Sequence, residues 1–471
     1  MKLTIDSILR IEDAPEGLLE QIKAELTIRN PDFDKKRRMR LNRWAWGQEY
    51  IKMWREEGEA VILPRGYYAR LWELTGGCCI QDNRLILPQV DYPKQPELRD
   101  YQAPALKLAR DWQQGVAVAP CGSGKTVTGD GIIADIGQPT LWITHTMDLL
   151  KQSMDSAVKF LGLKGDQIGI IQGANMSVGS HITFATVQTL SKRDLTTIKN
   201  KFGCIVVDEC HLVVKDADKA RMFESVISQF PAYYRFGLTA SEHRADGLIE
   251  TMFHVMGPKF YEVAQDDSRL SIMTPRVVFI ETGFIYEQPV DEDGERAMLS
   301  VQQMYKAMQE DFDRQLTMQR ILGLRIYEGD CCLVLGDSLA YLGMMFSAMR
   351  KSGVAAEFIN GETPKRVREH IMNGMRGGKY QFLFATYALA KLGLDIPRLN
   401  KLVLATPHRD KTSVQQAVGR IMRPFDGKQQ PIVYDIYDSK VPQLVNWARE
   451  RVRVYKRLGC LVEGGPVVRK W

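Results

Sequence analysis

From about residue 98 onward, short apolar runs alternate with stretches of helical period. The first runs fall near residues 115–119, 140–144, 168–171, 181–185, 204–208 and 234–238, separated by amphipathic or turn-forming segments. Continuous apolar runs of this length suit strands buried on both faces, and their alternation with helices predicts a parallel sheet. A polar stretch, YEQPVDEDGE (286–295), interrupts the rhythm, which resumes at 331–335, 355–359, 382–385, 402–405 and 432–434. The pattern therefore predicts two α/β lobes joined by a linker. The first 95 residues differ: they are charged and aromatic and lack a βα rhythm. The expected division is an N-terminal accessory region (1–95), a first lobe (96–265), a linker (266–310), a second lobe (311–440) and a C-terminal tail (441–471).

Composition changes this picture little. Hydrophobic residues make up 45% and charged residues 25% of the 471, ordinary for a globular chain. The net charge of +6 permits a polyanionic partner. No apolar stretch approaches the ~20 residues of a membrane span, so no membrane partner is expected. The opening MKLTIDSILRIEDAPEG soon turns acidic and lacks a signal-peptide core. Eight cysteines are scattered without a CxxC pair, which points to a reduced, cytoplasmic setting. Cys204, Cys210 and His211 are close enough in sequence to suggest zinc, but strand-end core cysteines explain them better.

The chemistry begins in VAVAPCGSGKTVTGDGII (116–133). An apolar strand runs into Gly122, Ser123 and Gly124, and a helix follows. The two glycines let backbone N–H groups converge on one anion at a helix N-terminus. Lys125 places a positive charge on the outer phosphates, and Thr126 offers a hydroxyl to Mg²⁺. Ala119 stands where the usual GxxxxGK[ST] pattern has its first glycine. The cofactors expected from this stretch are ATP and Mg²⁺.

A second stretch, CIVVDECHLV (204–213), delivers Asp208 and Glu209 at the carboxyl end of a buried strand. Ligands bind at that edge of such sheets. Asp208 can hold the metal through water, and Glu209 can orient and deprotonate an attacking water.

With these two elements in order, residues 98–437 resemble the superfamily 2 helicases and translocases. LRDYQ (98–102) is similar to the segment before motif I, APCGSGKT to motif I, LWITHTMDLLKQ (141–152) to motif Ia and TFATVQTL (183–190) to motif Ic. DECH (208–211) is similar to motif II and LTAS (238–241) to motif III. In the second lobe, LVLGDS (333–338), ATYALAKLGLDIP (385–397) and QQAVGRIMRP (415–424) resemble motifs IV, V and VI. The resemblance implies two tandem RecA-like lobes and assigns roles. Gln102 would read adenine, and Gly393 and Asp395 would approach the nucleotide. Gln416, Arg420 and Arg423 would face the phosphates across the cleft, where arginines neutralise the transferring group. His211, Thr239 and Ser241 would couple the nucleotide to the nucleic-acid track, and Thr386 would touch backbone phosphate.

The choice of nucleic acid leans towards DNA, as a forked or branched substrate. LTASEHRADGL (238–248) resembles the LTxTPxRxDG run of UvsW-type branch-migrating enzymes, with Ser241-Glu242 in place of Thr-Pro. The compact layout is similar to helicases of tailed phages, which work in the host cytoplasm. In DKKRRMRLNRWAWGQEY (34–50), Lys35, Lys36, Arg37, Arg38, Arg40 and Arg43 precede Trp44 and Trp46. Basic groups for phosphates beside aromatic faces for unpaired bases form a nucleic-acid binding composition; a solvated charge run beside two core tryptophans is the alternative. Two further function classes stay open: the motor subunit of a restriction or defence complex, and an ATP-gated nucleic-acid binding module or RNA helicase. Protein partners are not legible in the sequence.

Overall fold

A computed structural model of the chain describes residues 1–39, 42–77, 79–120, 122–173, 175–212, 217–240, 248–264, 267, 273–287, 300–391 and 394–467. Two compact units divide it near residue 264, and each is built on a predominantly parallel sheet of the RecA type.

In the first unit the central strands are the predicted apolar runs. Gln114–Val118, Thr140–Thr144, Ile182–Thr186 and Cys204–Asp208 are buried at every position, as expected of strands covered on both faces. From one edge the sheet runs Asn175–Met176, Ile168–Gln172, Ile182–Thr186, Thr140–Thr144, Cys204–Asp208, Tyr234–Thr239, Gln114–Val118 and Lys259–Glu262. Register aligns Asp208 with Leu238 and Thr239 with Val118, so three of the motifs emerge from one carboxyl edge.

The N-terminal residues fold without βα units. Lys2–Ile5 and Ile8–Glu12 pair antiparallel and alternate buried with less buried positions, the mark of a sheet covered on one face. Ala60–Pro64, Arg55–Glu57 and Ile80–Asp82 complete this five-stranded sheet. Its inward residues Leu3, Ile5, Leu9, Ile11 and Leu63 join the same apolar cluster as Val116 and Ile205 of the parallel sheet and Met252 of the helix Ile249–Met256. Arg65, fully buried, donates to Gln114 Oε1 at 2.8 Å, Ala232 O at 2.5 Å and Asp6 O at 3.1 Å. Next to it, a Cβ on Gly66 would lie 2.4 Å from Gly257 N, so only glycine permits this approach. The expected accessory region thus shares one core with the first lobe.

Among the described residues, the second unit has seven parallel strands in the order Ala356–Ile359, Phe382–Thr386, Cys332–Gly336, Lys401–Leu404, Ile432–Tyr437, Arg276–Glu281 and Leu461–Glu463. Two of these come from stretches expected to be a linker and a tail. Arg276–Glu281 holds the apolar run Val277–Ile280, but it lies alone before the polar interruption, outside the βα alternation. Leu461–Glu463 follows the long helix Pro442–Arg457 and covers one edge of the sheet. Buried ion pairs brace this unit: Arg314 with Asp438 at 2.9 Å, and Arg451 with both oxygens of Asp435 at 2.8 Å.

Candidate nucleotide and nucleic-acid sites

The phosphate loop has the conformation its glycines permit. Gly122 and Gly124 have φ of +85° and +82°, in the left-handed region, and the helix Lys125–Ile136 starts immediately after them. A Cβ on Gly124 would meet Gln102 Nε2 at 2.8 Å. Gln102 is buried; its Oε1 accepts from Arg99 N at 2.9 Å and its Nε2 donates to Gly124 O at 3.2 Å. The residue expected to read adenine therefore also ties the preceding segment to the loop. Ala119 N donates to Thr239 O at 2.9 Å, joining motif I to the strand of motif III.

At the head of the helix, Thr126 Oγ1 lies 3.4 Å from Asp208 Oδ2. Asp208 also accepts from Ser153 Oγ at 3.1 Å and from Glu209 N at 2.9 Å. Burial pushes the Asp208 carboxyl above the usual carboxylate range, the neighbouring Glu209 adds to this, and Lys125 opposes it. A cation beside Thr126 and Asp208 would reverse that balance. Among the described residues no group of three or more His, Cys, Asp or Glu could cage a metal. The adjacent Thr126 hydroxyl and Asp208 carboxylate are the hard oxygen donors that a phosphate-loop Mg²⁺ takes beside water and nucleotide. Lys125, Thr126, Asp208 and the glycine loop together fit Mg²⁺ and ATP.

Glu209 has φ of +49°, an uncommon conformation for a side-chain-bearing residue and one that clusters at functional positions. The turn carries its carboxylate to 3.4 Å from Lys125 Nζ and, through its other oxygen, to 3.4 Å from His211 Nδ1. His211 Nδ1 lies 2.8 Å from Thr239 Oγ1, and both residues are buried. The structure thus brings Lys125, Thr126, Asp208, Glu209, His211 and Thr239 into one connected group. Cys204 and Cys210 are buried in the core, with Cys210 Sγ 3.2 Å from Met252 Sδ.

Ser153 escaped the sequence reading. It sits on the helix Met147–Leu161, in the segment that resembles motif Ia, and a small polar residue among buried positions was its only signal.

In the second unit, Gln416 and Arg420 lie on the helix Lys411–Ile421, and Arg420 is buried. Gln416 Oε1 is buried and has no hydrogen-bond partner among the described residues. Arg423 Nη1 pairs with Asp395 Oδ1, so the residues expected from motifs V and VI meet each other. Lys428 Nζ supports this pair by donating to Arg423 O at 2.6 Å. Thr386 closes its strand, half-buried, and Tyr387 stacks on His408 with ring centroids 3.9 Å apart. His408 Nδ1 in turn lies 2.6 Å from Asp337 Oδ2, an arrangement the sequence did not announce.

The basic–aromatic segment divides. Trp44 is 84% exposed on the short turn Arg43–Ala45 and is no core tryptophan. Trp46 is half-buried and packs edge-on against Phe33, with centroids 5.6 Å apart. Arg37 and Arg43 are exposed and Lys36 is half-buried. Arg40, Ser241 and Gly393 lie outside the described residues, as do the side chains of Lys35 and Arg38. Among the described residues no helix is long and apolar enough to cross a membrane.

Comparison with known proteins agrees with this geometry. Residues 95–244 match the family described as Type III restriction enzyme, res subunit, and residues 314–424 match the Helicase conserved C-terminal domain. A protein of Acanthamoeba polyphaga mimivirus that carries the name of an ATP-dependent RNA helicase is 26% identical over 446 residues, covering 89% of this chain and 78% of that protein. The DNA 3'-5' helicase XPB of Kineococcus radiotolerans is 24% identical over 339 residues, covering 69% of this chain. The chain spans 57% of that relative's length. Among solved structures, S. cerevisiae Dbp5 bound to RNA and ADP BeF3 shares the fold with a TM-score of 0.54 at 14% identity, covering 79% of this chain and 90% of the other. With both matched domains in order and the motif residues assembled within each, the chain belongs to the superfamily 2 helicases.

Proposed function

We propose that the chain is an ATP-dependent DNA helicase or translocase that unwinds or branch-migrates forked and recombination intermediates. The observation that carries the motor reading is the connected group from Lys125 and Glu209 through His211 to Thr239, which links phosphate chemistry to motif III. DNA is favoured by the LTASEHRADGL run and by the name of the XPB relative, while exposed Trp44 and the basic helix suit either nucleic acid. The mimivirus relative's name favours RNA as the second reading.

When bound, Mg²⁺ and ATP supply the phosphoanhydride bond to be cleaved and a metal charge beside it. Lys125 and the N–H groups of the 122–126 loop hold the outer phosphates. Thr126 and Asp208 orient the metal side of the site, and Ser153 keeps Asp208 in place. Glu209 accepts the proton of the attacking water. Arg420 and Arg423 neutralise charge on the transferring group, a contribution of about 10³–10⁵ in rate for arginine fingers. Tyr387, His408 and Asp337 fix the strand end that presents Thr386 to a backbone phosphate.

A panel of fork, Holliday junction, linear DNA duplex and RNA duplex, each with ATP, tests the reading. Preferred unwinding of the branched DNAs is expected. Equal or better unwinding of the RNA duplex would move the protein to the second reading, and ATPase without strand displacement or triplex disruption would make it a static binding module.

A further inference from the structure

Residues 30–39 and 42–49 form a partly exposed protrusion that starts and ends at one place on the first unit. Its root is the antiparallel pair Thr27–Arg29 with Tyr50–Lys52. Asn30, buried, donates from its backbone to Glu49 O at 2.9 Å and from Nδ2 to Gln48 O at 2.7 Å. Arg29 binds both oxygens of Asp34 and also pairs with Glu49. The basic helix Pro31–Arg38 and the Trp44 turn are thus mounted on a pinned base.

Each limb of this protrusion makes a contact beyond it. Asp32 Oδ2 lies 3.5 Å from Ala217 N, and Gln48 Oε1 accepts from Arg221 Nη2 at 2.6 Å. Both end on the helix Ala217–Ile227. Ala217 and Arg221 are four residues apart and share one helix face. The Asp32 carboxylate accepts from the N–H of Ala217, the first described residue of that helix. Among the described residues this is the first helix after the DECH turn, and its inner residues Ala220, Phe223, Val226 and Ile227 are buried in the cluster that also holds Cys210 and Met252. Close-packed interiors transmit displacement rather than absorb it.

The geometry points to a coupling device: Asp32, Gln48 and Arg221 are positioning residues that carry nucleic-acid engagement of the Trp44 protrusion through the helix Ala217–Ile227 to the DECH turn. The inference rests on the reading of residues 35–46 as a nucleic-acid grip. None of the three residues touches the nucleotide loop or belongs to the grip itself. Their loss therefore alters how strongly nucleic acid stimulates turnover, and leaves binding and basal hydrolysis in place.

The test uses the full chain, forked DNA as the probe, and three readings: fork Kd, basal ATPase and fork-saturated ATPase. Combining Asp32→Ala, Gln48→Ala and Arg221→Ala should lower fork stimulation about fivefold or more, the lower range of allosteric coupling. Fork Kd and basal ATPase should stay within about twofold, as for surface changes worth half a kcal/mol. Gln48→Glu, which offers Arg221 a charged partner, should retain stimulation. Gln48→Ala alone, at an exposed position, guards against misfolding of the combined variant and should show part of the loss. Undiminished stimulation in the combined variant overturns the inference. Trp44→Ala and Arg37→Ala report separately on the underlying reading. Weakened fork binding there with intact stimulation in the clamp variants sinks only the coupling, whereas unchanged fork binding removes the grip and the coupling together.

Discussion

Thr239→Val isolates the link between motif II and motif III. Thr239 Oγ1 lies 2.8 Å from His211 Nδ1, and the pair is buried. Valine keeps the branched shape and leaves the bond from Ala119 N to Thr239 O, so the support of the phosphate loop survives. What disappears is one buried hydrogen bond, about 0.5–1.5 kcal/mol, together with about 1–3 kcal/mol for the imidazole nitrogen deprived of that partner. The ring then shifts toward Glu209 Oε2, 3.4 Å away, which ties it to the base and away from the motif III strand. A loss of about 1.4 kcal/mol from the coupling between the two motifs is a tenfold change. Base pairs separated per ATP should therefore fall by roughly tenfold, while DNA-stimulated hydrolysis falls much less. Strand displacement and phosphate release measured together on one forked substrate give that ratio directly. Thr239→Ser, which restores the hydroxyl, should recover it. If the valine variant separates as many base pairs per ATP as the parent, the His211–Thr239 bond is only structural and the coupling role is refuted.

Other substitutions bear on the rest of the machinery. Lys125→Ala should weaken nucleotide binding, whereas Glu209→Gln should bind nucleotide and fail to turn it over; equilibrium binding of a fluorescent ATP analogue beside phosphate release separates the two. Arg420→Ala should cut stimulated hydrolysis by about 10³ or more, since it removes charge from the transferring phosphoryl group, and retention of more than a tenth of the rate would contradict that role. Replacing Lys35, Lys36, Arg37 and Arg38 with alanine should flatten the log–log salt slope of duplex binding by up to about 0.9 for each phosphate left without its basic side chain. An unchanged slope with a lowered melting temperature would make that segment a structural element.

The parallel strands were legible because buried strands leave continuous apolar runs. Thr140–Thr144 and Cys204–Asp208 begin and end where the pattern puts them. Arg276–Glu281 was missed although Val277–Ile280 is a continuous apolar run, because it stands apart from the βα alternation and precedes a polar stretch that reads as the end of order. In the nucleotide site the charged residues were legible from spacing, because phosphate chemistry demands particular side chains at a strand end. Ser153 and the Tyr387–His408–Asp337 arrangement were not, since a supporting hydroxyl or a stacked ring is selected by a tertiary neighbour and leaves no local period. The two tryptophans of the basic segment show the same limit. Both read alike in sequence, yet Phe33 holds Trp46 inward while Trp44 faces solvent.

The buried arginines explain why the N-terminal residues act with the first lobe. Arg65 and Arg235 are fully buried, and both guanidinium groups donate chiefly to backbone carbonyls. Burial pulls the Arg65 guanidinium well below its ordinary range, with Arg235 adding to the effect, and brings Arg235 down to about 9. Such burial costs free energy that a surface arginine would not lose. The multidentate geometry offsets part of that cost and fixes position: Arg235 Nη2 reaches Ser7 O at 3.0 Å and Phe230 O at 3.2 Å, while Nη1 reaches Val255 O at 3.1 Å. Arg235 belongs to the strand Tyr234–Thr239, so the residue that clamps the N-terminal sheet and the residue that contacts His211 share one rigid strand. A hinged arm would let the Trp44 protrusion move without consequence for the nucleotide site. A domain clamped to the motif III strand at one end, and to the helix after the DECH turn at the other, cannot shift without loading both.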